Sequence, residues 1–179
     1  VPDPVGPNII WSGGCDGTLD RFDLETGHAQ SVKPWPETFI GYSGGEAKYR
    51  FNWTFPIAIS PHDHNRVYVG SQHIHQTTDG GRSWTLISPD LSTADAVLLE
   101  NSGGLKGDAI GAEPEHASAV FAIAESPLKD GLIWAGTNDG QVQVTRDSGA
   151  TWTNVTGNIP DLPPWGTVSN VEPSQHYAG

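Results

Sequence analysis

Phe55-Pro56-Ile57-Ala58-Ile59-Ser60-Pro61 returns 66 positions later as Phe121-Ala122-Ile123-Ala124-Glu125-Ser126-Pro127, and Val67-Tyr68-Val69-Gly70-Ser71 returns at the same spacing as Ile133-Trp134-Ala135-Gly136-Thr137. After a shift of two, Thr77-Thr78-Asp79-Gly80-Gly81-Arg82-Ser83-Trp84 is answered by Thr145-Arg146-Asp147-Ser148-Gly149-Ala150-Thr151-Trp152. A third copy opens the chain, where Ile10-Trp11-Ser12-Gly13-Gly14-Cys15-Asp16-Gly17 aligns without gaps to Ile133-Trp134-Ala135-Gly136-Thr137-Asn138-Asp139-Gly140. Self-similarity at a fixed period marks a repeat architecture, in which each unit covers the apolar face of its neighbour.

Each unit predicts four short strands. An apolar first strand (55–60; 120–125) ends at Pro, and a second (67–70; 132–136) ends in Gly. A third alternates (74–77; 141–145), and a fourth follows an Asp/Gly turn (84–87; 152–155). Four-stranded meanders repeated along a chain build a β-propeller, each meander being one blade. The expectation is an all-β propeller fragment of about three blades with an incomplete ring. Its parts are a partial blade at 8–33, a blade at 54–88, a loop insertion at 88–118, a blade at 119–157 and the start of a fourth at 167–179.

Composition agrees. Among 179 residues, 22 Gly and 14 Pro oppose long helices, and seven Trp place much of the apolar surface in large flat side chains. No run approaches the ~20 apolar residues of a membrane-spanning helix. Nine basic against 21 acidic residues give a net charge of −12, which argues against nucleic acid or an anionic membrane as partner. Cys15 stands alone, so no internal disulfide forms, and residues 1–7 lack the apolar core of a signal peptide. The absence of Met leads us to expect an internal segment whose neighbours are further blades of the same chain.

The pattern Ser/Thr-x-Asp-x-Gly-x-Ser/Thr-Trp at 77–84 and 145–152 resembles the Asp-box, or bacterial neuraminidase repeat. Its spacing has a physical reason: the carboxylate accepts backbone N–H groups in the hairpin, the Gly supplies a positive φ, and the Trp packs beneath the turn. The first unit departs from it, since Asp23-Leu24-Glu25-Thr26-Gly27 looks like the turn of quinoprotein-like propellers. The whole chain, including Lys48-Tyr49-Arg50-Phe51-Asn52-Trp53, resembles large propellers related to the sortilin receptor, often labelled glycosyl hydrolase. In Asp-box families, sialidases and two-propeller xyloglucanases among them, the boxes are structural. The resemblance therefore implies structural roles for Thr77, Asp79, Gly81, Trp84, Thr145, Asp147, Gly149 and Trp152, and an extracellular or periplasmic setting.

Turns of a meander alternate between the two ends of a blade, so the long connections 34–54 and 88–118 share one end and are the candidate functional loops. The candidate binding residues there are Tyr49, Arg50, Trp53, His73, His75 and His116, facing a protein or glycan. A glycosidase needs two carboxyl groups ~5 to 9.5 Å apart, for which Asp108, Glu113 and Glu115 are the candidates. The pairs His62/His64 and His73/His75 lie at opposite ends of one strand, about 20 Å apart at ~3.3 Å per residue, and cannot share an ion. No metal or cofactor is expected. Two functions follow: a binding scaffold without chemistry of its own, or one part of a two-propeller glycoside hydrolase.

Overall fold

The computed structural model describes residues 1–38, 44–99 and 118–178. Three antiparallel sheets follow one another along the chain, each a meander with strands in sequence order. Sheet 1 contains β1 (Ile9–Gly13), β2 (Leu19–Asp23) and β3 (His28–Ser31); sheet 2 contains β4 (Ile57–Ile59), β5 (Val67–Gly70), β6 (Ile74–Thr77) and β7 (Thr85–Leu86). Sheet 3 contains β8 (Val120–Glu125), β9 (Ile133–Thr137), β10 (Val142–Thr145) and β11 (Thr153–Asn154). The described residues do not close a ring.

Several strands are shorter than their apolar runs. Pro56 precedes β4 because it has no N–H to donate; its carbonyl still accepts from Gly70. The fourth strands shrink to Thr85–Leu86 and Thr153–Asn154 because Trp84 and Trp152 leave the ladder to reach the preceding sheet. The first unit is extended ahead of β1. Pro2 bridges Ile10, Asp3 N–H bonds to Ile9 O, and Trp11 N–H bonds to Val1 O, so residues 1–3 lie along the edge of β1 where β4 lies along β5.

The sheets stack face to face. Val67 and Val69 pack into a cluster with Trp11, Leu19, Phe51 and Phe55, whereas Tyr68, from the opposite face of β5, joins Ile74, Ile133 and Ala135. Successive residues of a strand point to opposite faces, so sheet 2 is the filling of the stack and all four residues of β5 are buried. Polar bridges cross the second interface: Tyr68 Oη donates to Glu125 at 3.0 Å and Arg66 pairs with Asp130, while Gly131 N–H, within sheet 3, donates to the same Glu125 carboxylate at 2.8 Å. Burial and the Glu125 charge both push the Tyr68 phenol up.

A close approach recurs at the ends of the second strands. A Cβ at Gly70 would stand 3.0 Å from Val120, and one at Gly136 would stand 2.4 Å from Val168. Val120 N–H bonds to Ser71 O, and Val168 N–H to Thr137 O, so residue 168 meets sheet 3 as residue 120 meets sheet 2. Residues 167–173 nonetheless form no strand.

Candidate functional site

The two hairpins whose sequences resemble the Asp-box have one geometry. Thr77 Oγ1 donates to Asp79 and accepts from Gly81 N–H, and Asp79 in turn accepts the N–H and hydroxyl of Ser83 at 3.0 and 2.7 Å. Thr145, Asp147, Gly149 and Thr151 repeat the set, with Thr151 donating at 2.8 and 2.6 Å. These donors, Ser83 and Thr151 first, hold both carboxyl groups down to about 2. The indoles do more than pack beneath their own turns. Trp84 Nε1 donates to Val32 O of the first unit at 2.9 Å, and Trp152 Nε1 donates to Ile87 O of the second at 2.7 Å, so each hairpin clips its sheet to the one before.

At the opposite end the connections gather. Arg50 is buried, and its guanidinium donates to Ser118 O at 3.0 Å, to Asp90 at 2.7 Å and to Ser92 at 3.2 Å. Its N–H bonds to the side chain of Gln72, which bonds back to Lys48 O. Arg50 thus ties residues 48–51 to the connection after sheet 2 and to the entry of β8; it positions the loops and is not displayed to solvent.

Tyr49 stands half-buried above it in an aromatic group. Its ring meets Trp35 edge-on at 5.5 Å, His73 at 5.9 Å and His75 at 4.7 Å, and Lys48 Nζ lies 3.6 Å from the Trp35 centroid, a cation over a π face. Trp35 Nε1 donates to Glu37 at 3.1 Å. A recess of about 90 Å³ opens between Trp35, Glu37, Glu46, Lys48 and Tyr49.

The two strand histidines differ. His75 is 3 % exposed, stacks on Phe51 and contacts Ser71 Oγ at 2.8 Å, and burial pushes its imidazole down to about 3. It supports Tyr49 from beneath. His73, half-buried, contacts Ser88 O through Nδ1 at 3.2 Å. Trp53 is 62 % exposed, beside a separate recess of about 360 Å³ that it lines with Trp11 and Phe55. Asp108, Glu113, Glu115 and His116 lie outside the described residues.

Tyr49, His73 and His75 therefore converge, Arg50 buttresses them, and Trp53 lies on its own recess. Lys48 and Trp35 complete the group; a Lys next to Tyr49, in a connection that also carries Trp35, is the signal that could have found them. Among the described residues no three of His, Cys, Asp and Glu gather as a metal site, and no helix is long and apolar enough to cross a membrane.

Comparisons with known proteins fall on the side of architecture. No family model matches the chain, and no curated protein matches its sequence. Among solved structures, it is similar to Ycf48 bound to a D1 peptide at 20 % identity and TM-score 0.45, covering 86 % of this chain and 42 % of that one. It is similar to the GH74 xyloglucanase of Xanthomonas campestris at 15 % identity and TM-score 0.39, covering 86 % of this chain and 29 % of that one. The extracellular domain of a one-component system from B. thetaiotaomicron follows at 13 % identity and TM-score 0.37, covering 96 % of this chain and 24 % of that one. The chain thus spans less than half the length of each of these three proteins. The likeness is partial, and the class of the chain, an all-β fold of propeller type with no closed ring among the described residues, rests on its own three stacked meanders.

Proposed function

We propose that the chain is part of a sortilin-like Asp-box propeller, outside the cytoplasm, that binds a protein or glycan ligand at the end bearing the connections 34–54 and 88–118. Residues 167–179 begin a further blade in this reading. The observation that carries it is the Trp35–Tyr49 pair. Recognition of a sugar or peptide favours flat side chains held in one orientation, and Tyr49 is braced by His73 and His75 while Trp35 is held by Glu37. The Asp-box carboxylates sit at the far end, saturated by their own turns, and serve the fold.

A second reading makes the chain one part of a two-propeller glycoside hydrolase. It is favoured by Glu37 and Glu46 sharing a recess with Trp35 and Tyr49, acids beside stacking surfaces. Direct binding to arrays of glycans and peptides, with reducing-sugar release measured on polysaccharides, separates the two. Saturable binding lost in Trp35→Ala and Tyr49→Ala, with no sugar released, is the expected result. Release abolished by Asp108→Asn, Glu113→Gln or Glu115→Gln would transfer the case to the hydrolase.

A further inference from the structure

At the Asp-box end, between sheets 1 and 2, lies a polar recess of about 190 Å³ whose lining includes Arg21, Arg82, Gln30, Asn65 and Asp79. We propose that this recess binds a small oxyanion, a carboxylate, sulfate or phosphate carried by a ligand, between the guanidinium groups of Arg21 and Arg82. The site is independent of the aromatic group at the other end.

Arginines are scarce in this chain, and two of its five are committed: Arg50 to Asp90, and Arg66 to Asp130 and Glu125. The guanidinium groups of Arg21 and Arg82 have neither hydrogen bond nor ion pair among the described residues, although the Arg82 backbone N–H bonds to Asp79. The carboxylates of the neighbourhood are taken. Asp79 is saturated by Ser83 and Thr77, and Asp23, which feels the Arg21 charge, accepts the N–H groups of Glu25 and Thr26. Two guanidinium forks and two side-chain amides facing one recess are a donor set suited to a planar or tetrahedral oxyanion.

The internal repeat supplies a control. Arg21 stands opposite Trp11 as Gln76 stands opposite Tyr68, so the equivalent slot between sheets 2 and 3 carries Gln76 for Arg21, Gly131 for Asn65, Ser148 for Gly80 and Ala150 for Arg82. That slot is shut: Ser148 N–H bonds to Gly131 O at 3.0 Å, and a Cβ at Gly131 would stand 2.2 Å from Ser148 Oγ. The same architecture therefore admits a closed slot with no charged side chain at these four positions, and among the described residues the slot at the first interface is open and carries two arginines.

Isothermal titration of the 179-residue chain with sodium phosphate, sodium sulfate and sodium acetate, at ionic strength held constant with sodium chloride, tests the assignment. Saturable one-site binding of at least one of the three is expected, weakened at least tenfold in Arg21→Gln and in Arg82→Gln. Arg146→Gln, in the second Asp-box, should bind as the unchanged protein does, and the rank of the three anions tells which oxyanion is preferred. Melting without added anion checks that the variants are folded; Arg82 is exposed, so its variant should melt unchanged. No saturable binding of any anion, binding that survives both recess substitutions, or equal weakening in Arg146→Gln would overturn the proposal.

Discussion

Three tryptophans at two kinds of place in the fold bring an indole N–H into the stack, and they meet different fates. Trp84 and Trp152 donate their indole N–H to Val32 O and Ile87 O, whereas Trp11 Nε1 is buried with no partner among the described residues. The reason lies in the facing sheet. Tyr68, the counterpart of Trp11, finds Glu125 in sheet 3, but the counterpart of Glu125 in sheet 2 is the apolar Ile59. Replacement by Phe removes similar volume at all three positions but a bond at only two, so Trp84→Phe and Trp152→Phe should each lose about 1–3 kcal/mol more than Trp11→Phe in denaturant unfolding. Equal losses at all three would show that the indole bonds do not hold the sheets together.

His75 makes a second prediction at this scale. Its imidazole takes a proton near 6.5 in the unfolded chain and near 3 in the folded one, so between those values the unfolded state binds the extra proton. The stability it contributes is complete above about 6.5 and is lost as pH falls towards 3. From pH 7 to pH 5 this amounts to on the order of 2 kcal/mol, at 1.36 kcal/mol per pH unit below the unfolded value. Urea midpoints at the two pH values should show the loss, and His75→Asn should flatten it. A wild-type chain equally stable at pH 5 and pH 7 would mean that His75 is wet.

At the scale of the elements, the hairpins show what was legible in the sequence and what was not. Their internal bonds could be read from Thr77, Asp79, Gly81 and Ser83 because all lie within one short turn, where spacing fixes geometry. The attachment of each hairpin to the preceding sheet was hidden, since Trp84 and Val32 lie far apart in sequence and meet only through stacking. The same holds for Arg21 with Arg82, and for Tyr49 with the histidines; separation by a whole unit erases any local pattern. Side-chain depth was hidden too: His73 and His75 are one residue apart from a shared neighbour, yet only His75 passes beneath Tyr49.

The glycines of two turns turn this contrast into a measurement. Gly149 has φ +96° and a Cβ there would stand 2.3 Å from Ile87 O, whereas Gly27 has φ +69° with nothing within 4 Å. Gly27→Ala should therefore lose only the backbone term of roughly 1–2 kcal/mol. Gly149→Ala should lose clearly more, because sheet 3 must shift away from sheet 2. Unfolding free energies that rank the two variants the other way would show that the hairpin and the preceding sheet are not tightly packed.

For the molecule as a whole, the stack explains how a chain this poor in apolar residues holds together: sheet 1 lends a face to one cluster, sheet 3 lends a face to the other, and sheet 2 lends one to each and is covered on both sides. Sheet 3 has only one partner sheet. Ile133 and Ala135 face sheet 2, so Trp134 between them projects from the other face, where its counterparts Trp11 and Tyr68 are covered by the next sheet. Val168 covers Gly136 at one edge of that face, and Trp134 remains half-buried. An apolar face of this kind seeks cover. A polypeptide of these 179 residues should therefore self-associate, with sedimentation velocity shifting to larger species as concentration rises, and Trp134→Gln should move it back towards monomer. A chain that stays monomeric over a hundredfold concentration range, and melts sharply at high temperature, would show that residues 159–178 already cover sheet 3 fully.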